Sequence, residues 1–219
     1  MTKNLFISAM LILLMLACDE VTEQQKLPVW GNPQVKERVV NGETVYDTVP
    51  HTIGYFRLLN QDSAIVTPET LDGKVYVADF FFTSCISICP TMSKQMKRVY
   101  DRYQPNDSVA IVSFSIDPEY DNVEVLSDYA GRLDVTSDTW HFLTGEKDEI
   151  YDLAFDSYMT QRPADDPEDA NNILHSGAFI LVDTQKRIRG VYDGTITEQV
   201  DLLMSDIEKL LDEEHASAQ

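Results

Sequence analysis

Apolar residues in this chain alternate between two kinds of run. The first kind is short, unbroken and rich in β-branched and aromatic residues. Residues 75–82 (VYVADFFF) and 109–116 (VAIVSFSI) have the length and composition of strands buried on both faces. Residues 140–143 predict a further short strand, closed by Thr144-Gly145, and residues 178–182 and 187–192 a strand pair around Asp183-Thr184. The second kind is periodic. Met92, Met96, Val99 and Tyr103 fall at helical spacing within 91–104, with Pro90 placed as the first helical residue. Helices are also expected over 123–133, 146–158 and 197–211, the last capped by Thr197. Asn41-Gly42, set between β-rich flanks in 36–49, is a two-residue hairpin signal. A second such element spans 51–67, turning at Gln61-Asp62-Ser63. Strands alternate with helices, a late strand pair and a last helix follow, and no repeat is present. The order predicts an α/β fold: a mixed central sheet flanked by helices, with an N-terminal β-hairpin.

Composition narrows the possible partners. The 219 residues carry a net charge of -20 with 43% hydrophobic content, enough for one domain with a sizeable core. No basic footprint for nucleic acid is present. The N-terminus reads separately. Residues 5–17 are uncharged and follow Lys3; about 13 residues suit a signal-peptide core and fall short of the ~20 that a bilayer needs. This run ends at Leu-Ala-Cys18, which is similar to a bacterial lipoprotein processing site, although Met15 and Leu16 depart from its usual pattern. That likeness implies a signal over 1–17 and lipidation of Cys18; the polar, Pro-containing stretch that follows reads as a membrane tether over 18–35, ahead of a domain over 36–211 and a tail over 212–219. It places the domain in the bacterial cell envelope, facing the extracytoplasmic space, where disulfides are permitted. The alternatives are an ordinary secretory signal with an incidental cysteine and, less favoured by its length, an uncleaved anchor.

Cys85 and Cys89 sit where the strand 75–82 gives way to the helix begun near Pro90. Two thiols in such a turn, near a helix N-terminus, are placed to be reactive. They suit disulfide chemistry, or they chelate a soft metal ion. Structural zinc and iron–sulfur sites want more ligands than one cysteine pair supplies. Of the four histidines, His175 lies between an acidic loop (162–172) and the strand at 178, a position open to a ligand or to an ordinary loop histidine. Asp79, inside a buried strand, needs a partner or a proton. Met92 and Met96 read as core by their spacing.

The run Asp79-Phe-Phe-Phe-Thr-Ser-Cys85 with CxxxCP resembles the signature of the SCO/SenC family. The likeness continues in Ser113–Pro118 (SFSIDP), Leu143-Thr-Gly, His175-Ser176 and Tyr192-Asp-Gly-Thr, and covers about 28–211. It implies a thioredoxin-like fold and a copper ion, Cu(I) or Cu(II), held by Cys85, Cys89 and His175, leaving His141 a structural role. It implies a metallochaperone that delivers copper to the dinuclear copper centre of a cytochrome c oxidase, with that copper-bearing subunit or another copper chaperone as partner. The rival is a thiol–disulfide oxidoreductase using Cys85 and Cys89 to keep partner cysteines reduced; whether the chain is an enzyme turns on that choice. A peroxiredoxin-like site fits the paired motif poorly. Many family members carry a proline between the cysteines; here Ile86-Ser87-Ile88 stand there, suggesting an apolar rim for a docking partner.

Overall fold

The computed structural model describes residues 26–159 and 177–217. Its centre is a five-stranded sheet in the order β7-β6-β5-β8-β9, made of β5 (Val75–Phe81), β6 (Val109–Ser115), β7 (Trp140–Leu143), β8 (Ala178–Val182) and β9 (Ile188–Asp193). Strands β5, β6 and β7 run parallel; β8 is antiparallel to β5, and β9 to β8. Every residue of β5 and β6 is buried, as their unbroken apolar runs require.

The side-chain alternation of β5 divides the core. Val75, Val77 and Phe81 face one layer, completed by α1 (Cys89–Tyr103), α2 (Val123–Leu133) and α4 (Thr197–Ser217) through Met92, Met96, Leu126, Leu203 and Ile207. Tyr76, Ala78 and Phe80 face the other, completed by Phe56, Leu58, Ile150 and Leu153. Two of these come from α3 (Lys147–Asp152) and the π-helical turn that continues it, Leu153–Ser157. Met92 and Met96 are therefore core residues, 2% and 0% exposed.

Two hairpins precede the sheet. β1 (Gln34–Val40) pairs with β2 (Glu43–Val49), and Asn41 and Gly42 both take positive φ (54° and 84°), as a primed two-residue turn demands. β3 (Leu58–Leu59) pairs with β4 (Ile65–Val66) across the expected 61–63 turn.

Several boundaries differ from the sequence reading. α1 starts at Cys89, one residue early, with Pro90 still in its first turn. β9 starts at Ile188, one residue late. α4 begins at Thr197 itself, and Thr197 Oγ1 accepts a bond from Gln95 Nε2 at 2.8 Å. It also continues through Ser217, where a tail had been expected from 212, because Glu214 accepts from Thr184 Oγ1 (2.6 Å) and Glu213 meets Arg189. The stretch assigned to the tether is docked from Lys26 onward: Leu27 N donates to Glu213 Oε1 (2.7 Å) and Trp30 N to the Ile188 carbonyl (2.8 Å).

Candidate metal centre

β5 ends at the middle of the sheet, and the chain turns there through residues 82–88 into α1. The start of the turn is pinned by a buried carboxylate: Asp121 Oδ2 accepts from Thr83 N (3.0 Å) and from Ser115 Oγ (2.6 Å), and Thr83 Oγ1 donates to Oδ1. Asp121 is itself held by its amide donating to the Asp117 carbonyl at 2.8 Å. The end of β6 thereby fixes the approach to the first cysteine. Sequence reading missed Asp121, which gives no local signal for a contact 38 residues away.

Cys85 and Cys89 are both free thiols, 8% and 4% exposed. They lie within hydrogen-bonding range of one another, and Ser87 Oγ stands 3.4 Å from Cys85 Sγ. Their proton affinities diverge. Burial opposes ionisation of Cys85, but hydrogen bonds from the Cys89 thiol and the Ser87 hydroxyl, joined by the amides of Cys89 and Ser87, outweigh it and bring Cys85 down to about 7. Burial pushes Cys89 up to about 12, reinforced by the Cys85 sulfur and by the Asp79 charge, against the opposing amide of Phe82. Near neutral pH Cys85 is partly ionised while Cys89 keeps its proton. That arrangement offers a ready nucleophile and two soft ligand atoms in one place.

Asp79 lies beneath them on the same face of β5 as the α1 layer. It is 4% exposed and accepts from Ser113 Oγ, its register partner on β6. Trp140 Nε1 donates to the same Ser113 Oγ at 2.9 Å. Burial raises the Asp79 carboxyl to about 7, with the Ser113 bond opposing. The expected partner for Asp79 is thus a hydroxyl, and the role is structural with an electrostatic effect on Cys89.

The histidines separate clearly. His51 Nε2 lies 2.6 Å from the Ser157 carbonyl, and His215 is exposed on α4. His141, on β7, is 8% exposed with Nδ1 unpartnered; burial lowers it to about 4, so it stays neutral. His175 and Cys18 lie outside the described residues. Gly177 is described, and it closes on the thiol turn. A β-carbon at Gly177 would stand 3.8 Å from Ile88 Cδ1 and 3.2 Å from Thr195 Cγ2, and the Gly194 amide donates to the Gly177 carbonyl at 2.7 Å. Its φ of +66° also favours glycine.

The two isoleucines differ from the expected rim. Ile86 is 94% exposed, whereas Ile88 is half-buried against the α1 layer. Of the two, Ile86 is the one that projects freely beside the thiols. Among the described residues no group of three or more histidine, cysteine or acidic side chains is positioned to hold a metal ion.

Comparison with known proteins agrees with this layout. The SCO1/SenC family model matches residues 45–212. The SCO1 protein homolog of Bacillus subtilis is 33% identical over 168 residues, spanning 76% of this chain and 86% of its own. The BsSco structure, described through a disulfide switch in a member of the Sco family of cytochrome c oxidase assembly proteins, is 33% identical with a TM-score of 0.63, covering 73% of this chain and 93% of that one. The structure of Arabidopsis thaliana ScoI with copper bound is 28% identical with a TM-score of 0.57, covering 73% and 98%. The thioredoxin-like fold expected from the sequence is the fold these neighbours share.

Proposed function

This chain belongs to the SCO1/SenC family, and on that premise we propose that it carries copper in the bacterial cell envelope and delivers it to the dinuclear copper centre of a cytochrome c oxidase. Copper is the cargo. Cys85 and Cys89 supply two thiolates, and His175 supplies a neutral imidazole. The observation that carries the proposal is the closure of Gly177 on Ile88, beside the two free thiols. His175, two residues before Gly177 in the sequence, is the third ligand that the family resemblance supplies.

The split between the thiols gives the binding an order. Cys85 is partly ionised at neutral pH and meets the ion first; Cys89 then gives up its proton as its sulfur coordinates. Two sulfurs and one imidazole leave a side open, through which a recipient's ligands enter as these leave. Oxidation of the pair to a disulfide removes two electrons and both thiolates, and so forbids copper. Anchorage by a lipidated Cys18 completes the reading, with the oxidase subunit or another copper chaperone as partner.

Titration of Cu(I) and Cu(II) into the reduced protein and into His175→Ala tests it, with sulfur-to-copper charge-transfer absorption as readout. Strong weakening in the variant is expected; equal affinity removes His175 from the ligand set. The second reading, a thiol–disulfide oxidoreductase, is favoured by the lowered Cys85 thiol beside a protonated Cys89. Reduction of a model protein disulfide, unaffected by His175→Ala, would mark that activity.

A further inference from the structure

Gly177 places the start of β8 at the thiol end of the sheet, so β8 runs away from the thiols to Val182 and β9 returns from Ile188. The turn between them lies at the opposite end, five strand residues or about 17 Å away. Both stems of the β1–β2 hairpin are tied to that turn: Trp30 N donates to the Ile188 carbonyl and Ile53 N to the Lys186 carbonyl, each at 2.8 Å. The chain from the N-terminus arrives at the same end. Arg189, 4% exposed, donates from Nη2 to the Leu27 carbonyl (2.6 Å) and from Nε to the Pro28 carbonyl (3.2 Å).

The hairpin at this end is open to solvent. Val35, Glu37 and Val39 share one face with Thr44, Tyr46 and Thr48 by register, and Val35, Val39 and Tyr46 are 66%, 70% and 66% exposed. Val29 and Trp30, at 44% and 52%, stand at the stem. Six of the fifteen large apolar side chains exposed among the described residues fall in residues 26–49, a small part of the chain. The same residues hold three cations (Lys26, Lys36, Arg38) and three carboxylates (Glu37, Glu43, Asp47), neutral within a chain of net charge -20. An isolated two-stranded hairpin is marginal in water, and exposed valines with Tyr and Trp suit a membrane–water interface.

We infer that the hairpin and Trp30 rest on the surface of an uncharged lipid bilayer, so that the thiols face away from the membrane. This rests on the proposed N-terminal attachment, because residues 1–25 lead from the apolar run and Cys18 to Lys26. Apolar contact supplies the binding.

The chain carries its own probe. Its two tryptophans are Trp30 and Trp140, and Trp140 is 1% exposed in the core. The full chain is bound to phosphatidylcholine vesicles, checked by flotation, and its emission is measured with and without brominated phosphatidylcholine. The expected results are quenching that is lost in Trp30→Phe, and loss of quenching with flotation retained in the combined variant Val35→Ser, Val39→Ser, Tyr46→Ser. A chain that floats while Trp30 stays unquenched by bromolipid and open to aqueous iodide overturns the docking alone. A chain that does not float overturns both the docking and the anchor. Protection of Trp30 that rises with protein concentration in the absence of lipid assigns the face to a second copy and overturns the bilayer as its occupant.

Discussion

Gly177, just before β8, faces Ile88 of the thiol turn: a β-carbon on Gly177 would stand 3.8 Å from Ile88 Cδ1. The approach joins two segments 89 residues apart in the sequence, beside the two free thiols. Gly177→Val is expected to strain the positive-φ backbone by about 1–2 kcal/mol and to press on Thr195. Copper affinity should fall, while the reactivity of Cys85 with alkylating agents should not change. Unaltered affinity would show that the approach of this loop is not what positions the third ligand.

Asp79 predicts a pH signature. Its carboxyl is raised to about 7 in the folded protein from 3.8, so the native state holds its proton more tightly than the unfolded chain does. The associated stability is present below pH ~4 and is lost as the pH climbs through about 7, by at most about 4 kcal/mol. Asp79→Asn should flatten that decline in urea melts between pH 5 and 8. It should also lower the Cys89 thiol, because the Asp79 charge contributes to holding it high.

Alkylation of the native protein should discriminate between the cysteines. Cys85 should react with a midpoint near pH 7, and Cys89 should stay unreactive through pH 10. Ser87→Ala removes one donor to Cys85 and should move its midpoint upward. Equal labelling of both sulfurs at pH 7, read by mass spectrometry, would contradict the assigned order of ionisation.

Asp121 is a packing element of the site without being a ligand. Asp121→Ala strands the Thr83 amide and hydroxyl and the Ser115 hydroxyl, and should cost about 2–4 kcal/mol in denaturant unfolding. Because Thr83 stands two residues before Cys85, the variant should also release copper faster than the wild type does.

Much of this layout was legible because it is local. The run 75–82 announces a strand buried on both faces, Asn41-Gly42 a primed turn, and Met92, Met96, Val99 and Tyr103 a buried stripe; each appears as read. The cysteine pair was placed correctly at the strand-to-helix turn for the same reason. What escaped depends on distant partners. Asp121 resembles any loop aspartate until Thr83 is folded against it. α4 outlasts its apolar period, which stops at Leu211, because Glu213 and Glu214 are held by Arg189 and Thr184. Ile86 and Ile88, alike in sequence, part ways because only Ile88 turns toward the α1 layer.

The clamp on Leu27 and Pro28 sets where this polypeptide can be shortened. Arg189 shares its guanidinium among those two carbonyls, Asp183 and Glu213, and Glu213 in turn accepts the Leu27 amide. A version trimmed to begin at Pro33 would look sparing, since residues 26–33 carry only the isolated bridge at Trp30, yet it would leave a buried cation with half of its acceptors gone. Trimming at Lys26 keeps them, and the natural edge of the folding unit therefore falls before the first strand rather than at it.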